Sequence, residues 1–117
     1  MDVTIFHNPN CSTSRNTLAL IRGAGIEPVI VDYQKAPLTR YRLQQLLRDA
    51  GLRAPDVLRW KEPLAAELGL RADQPEPQLR DAIVSHPRLL ERPLVETPRG
   101  VALCRPAERV LALLTQR

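Results

Sequence analysis

The chain has 117 residues, 44% of them apolar, which suffices for one compact core, so we expect a single domain over residues 1–117. Charged residues interrupt every apolar run short of the roughly 18–20 residues that a membrane span needs, and the start does not resemble a signal peptide, which favours a cytoplasmic protein. The net charge is +4, but the basic residues are spread along the chain with few aromatic residues, which argues against a nucleic-acid partner.

The first part of the chain predicts a strand, a loop, a helix and a second strand. Residues 3–6 are β-prone and stop at the Asn8-Pro9 turn. A helical spacing then runs from Ser12 to Gly23, where glycine is a typical stop residue. Residues 28–33 are nearly all apolar, with a β-branched run, which predicts a strand buried on both faces and parallel to the first. The opening is therefore predicted to be a right-handed βαβ unit.

The middle of the chain, about residues 38–88, predicts a compact helical insertion. Thr39 can cap a helix that ends at Gly51, and prolines set the boundaries of the helices after it. These shorter helical patterns lie around 57–58, 64–68 and 79–84. Beyond the insertion, two β-prone segments at 94–96 and 101–104 predict a hairpin, and a final helix follows Pro106.

Cys11 lies in the loop between the first strand and the first helix, where α/β folds often place their chemistry. The positive end of the helix favours its thiolate, although a helix end alone contributes only about 0.3–1 kcal/mol. The hydroxyls of Ser12, Thr13 and Ser14, with Arg15 or an arginine from elsewhere, can add the rest. We therefore favour a reactive thiolate over a small buried residue at a helix cap.

The spacing around Cys11 excludes two common cysteine sites. A Cys-x-x-Cys pair would need cysteine in place of Ser14, and a Cys-x5-Arg phosphate loop would need arginine in place of Thr17. The site is therefore monothiol, and turnover needs an outside thiol. Cys104 is predicted to be a small buried residue rather than a resolving thiol. The two histidines, His7 among them, show no ligand spacing, so no metal site is expected.

Several motifs together resemble those of the ArsC family of arsenate reductases. The string from His7-Asn8-Pro9 through Cys11 to Leu18 carries the main signature. Further matches follow in the family's order at 58–59, 86–87, 91–95, 97–98 and 103–106, so that the resemblance covers nearly the whole chain. It implies an α/β, thioredoxin-like fold in the order βαβ, helical insertion, ββα, with a four-stranded mixed sheet.

The resemblance also implies a mechanism. The Cys11 thiolate attacks arsenate, glutathione displaces the adduct to release arsenite, and glutaredoxin regenerates the enzyme. Arg59, Arg92 and Arg105 match the family's oxyanion-binding arginines, and arginine suits bidentate recognition of oxyanions. Glutathione is thus expected as a cosubstrate and glutaredoxin as a partner, with no bound cofactor, no metal and a monomeric protein.

Several of these residues have alternative roles. His7 either tunes the thiolate, as its family counterpart does, or satisfies the end of a strand. Arg59 is expected in a helical segment, where it could be surface charge. Arg92 and Arg105 precede prolines, which favours extended backbone near strand starts. The Arg92-Pro93 bond matches the cis-proline position of thioredoxin-like folds, with a trans turn as the alternative.

Two other functions fit the same fold. An Spx-type regulator would bind RNA polymerase, with an ordinary Cys11 pKa. A thiol oxidoreductase acting on glutathione-linked proteins would need Cys11 but not three arginines.

Overall fold

The computed structural model describes residues 1–114. Within this range no helix combines the length and apolar character that crossing a membrane requires. In chain order the elements are β1 (Thr4–His7), α1 (Ser12–Gly23), β2 (Val29–Asp32), α2 (Arg40–Ala50), α3 (Ala54–Val57), α4 (Pro63–Glu67), α5 (Glu76–Ser85), β3 (Leu94–Thr97), β4 (Gly100–Leu103) and α6 (Val110–Leu114), with 3-10 helices at Pro87–Leu89 and Ala107–Arg109.

The chain divides into two compact units, described separately below. The first unit comprises Met1–Ala36 and the chain from Arg92 onward, and it contains the whole sheet. The second unit, Pro37–Glu91, is helical.

The sheet of the first unit is mixed and has the order β2-β1-β3-β4. β1 and β2 are parallel and are joined through α1, as the predicted βαβ unit requires. β3 pairs antiparallel with both β1 and β4, so the predicted hairpin is present. The hydrophobic core of this unit packs the sheet against its helices through Val3, Ile5, Ile21, Val95, Cys104, Val110 and Leu114.

The prediction that the second strand is buried on both faces is wrong. Val29 and Ile30 in β2 are 63% and 41% exposed. β2 lies at the edge of the sheet and pairs with β1 alone among the described strands. An apolar, β-branched run is typical of a buried parallel strand, but the tertiary packing decides which faces of a strand are covered.

The exposed edge gives a test of stability with a matched pair of residues. Ile5 and Ile30 are register partners in neighbouring strands, but Ile5 is fully buried whereas Ile30 is 41% exposed. We expect Ile5→Ala to lower the free energy of unfolding by about 2–5 kcal/mol and Ile30→Ala by about 1 kcal/mol or less. Urea unfolding followed by circular dichroism measures both. Equal losses of unfolding free energy in the two variants would contradict the exposure of β2.

The helices of the second unit begin and end at the capping residues and prolines that the sequence predicts. The Thr39 hydroxyl accepts the Arg42 N–H at 3.0 Å at the start of α2, and Gly51 ends that helix with a φ of 67°. Each of α3, α4 and α5 carries a proline in its first turn. Proline is tolerated there because a backbone N–H in the first turn has no acceptor within the helix. α2 packs against α5, and each helix carries a fully buried leucine, Leu43 in α2 and Leu79 in α5.

Candidate active site

Cys11 is the residue immediately before α1, and its own backbone is extended, with φ −105° and ψ 122°. Its N–H donates to the Asn8 carbonyl oxygen at 3.1 Å, and its carbonyl oxygen accepts the Arg15 N–H at 3.0 Å. The side chain is buried, with 9% of the residue exposed. These contacts fix the sulfur at the positive end of the helix, as the sequence predicts.

The pKa of the Cys11 thiol is lowered from its ordinary value. Burial is the largest influence and raises the pKa, because a charged sulfur is poorly solvated inside the protein. Hydrogen bonding from the Ser14 backbone N–H and from the Arg92 and Arg105 side chains lowers the pKa and outweighs the burial. The sequence left the source of positive charge open between Arg15 and a remote arginine, and the two remote arginines supply it.

Arg105 joins the thiol to the start of β3. Its Nη1 lies 3.7 Å from Cys11 Sγ and also donates to the Arg92 carbonyl oxygen at 2.9 Å. Arg92 Nε is buried and has no hydrogen-bond partner among the described residues. Since the Arg92 side chain also acts on the thiol, two guanidinium groups that are distant from Cys11 in sequence converge on its sulfur.

The backbone around these arginines differs in part from the prediction. Arg92 directly precedes β3, as expected, but Arg105 follows the end of β4 and leads into a 3-10 helix, so its predicted place near a strand start is wrong. The rule that the residue before proline is extended holds at strand ends as well as at strand starts. Both Arg92-Pro93 and Arg105-Pro106 are cis, the first as the resemblance implies and the second without a signal in the sequence.

His7 and Ser14 are in direct contact beneath the cysteine loop. His7 Nδ1 and Ser14 Oγ are 2.6 Å apart, and Ser14 Oγ also accepts the Asn8 N–H at 3.1 Å. The expected hydroxyl donation from Ser14 to the thiol is wrong, because the Ser14 hydroxyl is engaged with His7 and the Ser14 backbone N–H acts on the sulfur instead. Burial, the largest influence, lowers the pKa of His7, whereas Asp32 raises it.

Asn8 is a contributor that the sequence did not single out. It is 4% exposed, its backbone contacts both Cys11 and Ser14, and its side-chain oxygen accepts the Asn10 N–H at 2.9 Å. The Asn-Pro turn in the sequence was the available signal, since asparagine commonly bonds to the backbone two residues further on. Arg15, in contrast, donates to the Pro9 carbonyl oxygen at 2.8 Å from an exposed position.

Cys104 has a different environment from Cys11. It is fully buried in the hydrophobic core of the first unit, and burial raises the pKa of its thiol to about 12. A thiol with this pKa remains protonated at neutral pH and is a poor nucleophile. Its predicted burial is confirmed.

Two further features bear on cofactors and cavities. Among residues 1–114, no group of three or more His, Cys, Asp or Glu side chains is arranged to hold a metal ion. A cavity of about 320 Å³ lies between α2 and α5 in the second unit, and none of the predicted site residues lines it.

The ArsC family model matches residues 6–113 of this chain, which includes Cys11, Arg92 and Arg105. The chain belongs to the ArsC family. It is 50% identical to the arsenate reductase of Rhizobium meliloti over 97% of this chain and 82% of that protein. It is 46% identical to an arsenate reductase of Escherichia coli over 97% of this chain and 81% of that protein.

Solved structures of similar proteins agree with this assignment. A putative arsenate reductase from Yersinia pestis superposes with a TM-score of 0.89 at 42% identity, covering 95% of this chain and 99% of that chain. An arsenate reductase from Vibrio cholerae superposes with a TM-score of 0.91 at 38% identity, covering 96% and 97%. The predicted thioredoxin-like α/β fold with a four-stranded mixed sheet is confirmed.

The third arginine of the ArsC resemblance, Arg59, lies in the second unit. Its predicted helical position is wrong, because α3 ends at Val57 and Leu58 forms a single antiparallel bridge with Leu90. The Arg59 N–H donates to the Leu89 carbonyl oxygen at 2.6 Å, and its Nη1 lies 3.1 Å from the Glu91 carboxylate. Arg59 is thus fixed by partners within its own unit, and its role toward the oxyanion stays a prediction from the motif.

Proposed function

We propose that this ArsC-family chain is an arsenate reductase in which the Cys11 thiolate is the nucleophile and arginines bind the oxyanion. The observation that carries the proposal is the position of Arg105 Nη1, 3.7 Å from Cys11 Sγ, together with the lowered pKa of that thiol. Thiolates rather than thiols attack electrophilic centres, so a lowered pKa increases the fraction of Cys11 that is nucleophilic at a given pH.

The first step joins sulfur to arsenic. The Cys11 sulfur attacks the arsenic of arsenate, an S–As bond forms, and one arsenate oxygen leaves as water after protonation. Both reactants are anionic, and negative charge accumulates on the arsenate oxygens during the attack, so fixed positive charge is needed there. Arg105 and Arg92 are the candidates in the first unit. Arg92 Nε is buried and has no hydrogen-bond partner among residues 1–114, and a donor of this kind can bind an oxyanion. We assign the same role to Arg59 from the family motif.

The second step requires a thiol from outside the chain. Reduction of arsenate to arsenite takes up two electrons, and Cys104, the other cysteine, is buried with a pKa of about 12. A glutathione thiolate attacks the Cys11 sulfur, an S–S bond forms, the S–As bond breaks, and the electron pair stays on arsenic, which is released as arsenite. Glutaredoxin then reduces the mixed disulfide between Cys11 and glutathione. No bound cofactor is needed in this scheme.

Residues around the site position these groups. His7, Ser14 and Asn8 tie the end of β1 to the first turn of α1, and Pro93 stands between Arg92 and the start of β3. Arg15 ties α1 to the loop through Pro9. A monomeric, cytoplasmic protein stays a prediction from the sequence.

The proposed function is tested with purified protein, arsenate, glutathione and a glutaredoxin. We expect arsenite to form with the complete mixture and its formation to stop when glutathione is omitted, because no second reactive thiol is available in the chain. Arsenic speciation by liquid chromatography measures the product. Absence of arsenite from the complete mixture, with a thiolate at Cys11 demonstrated by alkylation, would overturn the arsenate assignment and leave the thiol chemistry standing.

A further inference from the structure

A groove lies in the first unit between α1 and the 3-10 helix at Ala107–Arg109. It has a volume of about 500 Å³, which is within the range of sites that hold small molecules. Its lining residues are Asn16, Ala19, Leu20, Ala107 and Glu108. The groove lies beside the thiol, because α1 begins directly after Cys11 and the 3-10 helix follows shortly after Arg105, whose Nη1 is 3.7 Å from Cys11 Sγ.

The groove combines apolar walls with two polar side chains. Ala19, Leu20 and Ala107 supply the walls. The exposed Glu108 carboxylate has no hydrogen-bond or ion-pair partner among residues 1–114, and neither does the side-chain amide of Asn16. A negative charge is therefore available in the groove, whereas guanidinium groups surround the thiol next to it.

We propose that this groove binds the γ-glutamyl end of glutathione, with Glu108 paired to its ammonium group and Asn16 donating to the neighbouring carboxylate. The inference rests on the proposed function, because that scheme requires an outside thiol to reach the Cys11 sulfur. Glutathione carries its only ammonium group at the γ-glutamyl end and has a carboxylate at each end. The acid of the groove therefore attracts the γ-glutamyl end and repels the glycine end.

The position of the groove fits the length of the γ-glutamyl arm. The arm spans about 10 Å from the glutathione sulfur to the ammonium nitrogen when it is extended. An α-helix rises about 1.5 Å per residue, so Asn16 and Ala19 lie about 8 Å and about 12 Å along α1 from Cys11. A glutathione whose sulfur contacts Cys11 can thus place its ammonium group in the groove. Holding the two sulfurs together in this way favours their reaction.

The test follows the reaction of Cys11 with oxidised glutathione, which needs no arsenate. The Cys11 thiolate attacks one sulfur of the disulfide, a new S–S bond forms, the original S–S bond breaks, and one glutathione leaves as a thiolate. The second probe is the disulfide of deamino-glutathione, in which hydrogen replaces the ammonium group. Intact-protein mass spectrometry measures the rate of mixed-disulfide formation with each probe.

We expect the wild type to react about fivefold faster with oxidised glutathione than with the deamino disulfide, since a solvent-exposed charge pair has a modest effect. Glu108→Gln should lower the rate with oxidised glutathione about fivefold and should not slow the deamino disulfide. A general effect of charge has the opposite sign, because removal of a negative charge near the thiol speeds the attack on any anionic disulfide.

Two controls separate binding in the groove from damage to the thiol. Hydroxyethyl disulfide carries no charge and no γ-glutamyl arm, so its rate should be the same in the wild type and in Glu108→Gln within about twofold. Glu67→Gln is the matched variant, because Glu67 is an exposed glutamate of α4 outside the groove, and all three rates should be unchanged.

Three results would overturn the proposal. The first is a wild type that does not distinguish the two charged disulfides. The second is a Glu108→Gln variant that keeps the wild-type rate with oxidised glutathione, and the third is one that slows all three disulfides equally.

The arsenite assay gives a second measurement. Glu108→Gln should raise the KM for glutathione about fivefold and leave the KM for arsenate unchanged, and a rise in the KM for arsenate alone would also overturn the proposal. A wild-type protein that prefers oxidised glutathione over the deamino disulfide but forms no arsenite would refute the proposed function and leave the glutathione groove supported.

Discussion

Replacement of Cys11 by serine is expected to lower arsenite formation by more than about a thousandfold. Serine preserves the size and the position before α1, but its hydroxyl stays protonated at neutral pH, whereas the pKa of the Cys11 thiol is lowered. The hydrogen bonding from Ser14, Arg92 and Arg105 that favours a thiolate cannot produce an equivalent alkoxide. Initial rates of arsenite release with saturating glutathione and glutaredoxin measure the effect.

Cys104→Ala is the control for this prediction, because it removes the other thiol of the chain. Cys104 is fully buried, with a pKa of about 12, so its loss should leave the rate of arsenite formation close to that of the wild type. A folded Cys104→Ala protein that loses activity as completely as Cys11→Ser would show that Cys104 resolves the adduct. That result would refute the requirement for glutathione as the second thiol.

Arg105→Ala is expected to have the next largest effect, with kcat/KM for arsenate falling on the order of a hundredfold. The variant removes the guanidinium that lies 3.7 Å from Cys11 Sγ, together with its bond to the Arg92 carbonyl oxygen. Arg105→Lys should recover only part of the loss, since a single ammonium cannot bond to both groups in the same planar geometry. Steady-state kinetics with varied arsenate measures both variants.

The Arg105→Ala variant should also change the pH dependence of Cys11 reactivity in one direction. Arg105 lowers the pKa of the Cys11 thiol, so its removal raises that pKa and shrinks the thiolate fraction at neutral pH. When the alkylation of Cys11 by iodoacetamide is followed against pH, the midpoint should therefore move to higher pH. Part of the activity in arsenite formation should return as the pH is raised.

Arg109→Ala serves as the matched control for this variant. Arg109 is exposed in the 3-10 helix that follows, and removing it should leave both kcat/KM and the midpoint unchanged. Full activity of Arg105→Ala would contradict an oxyanion-binding role and would favour a thiol oxidoreductase that needs Cys11 alone.

Local patterns were sufficient to predict most of the secondary structure. Thr39 and Gly51 bound α2 because a capping hydroxyl and a left-handed glycine act on the residues next to them. Local patterns did not predict that β2 lies at the edge of the sheet. Val29 and Ile30 have the composition of a buried strand, yet they lie on an edge whose outer side no described strand covers.

For the site, the sequence by itself determined that Cys11 lies at the start of α1 and that no second cysteine accompanies it there, because both facts depend on residues adjacent in the chain. Only the tertiary structure decided which groups act on its sulfur. Arg92 and Arg105 reach Cys11 because β3 lies beside β1 and the turn after β4 returns to the same end of the sheet. Hydrogen bonds between residues far apart in sequence depend on strand order and register, which local propensities do not encode.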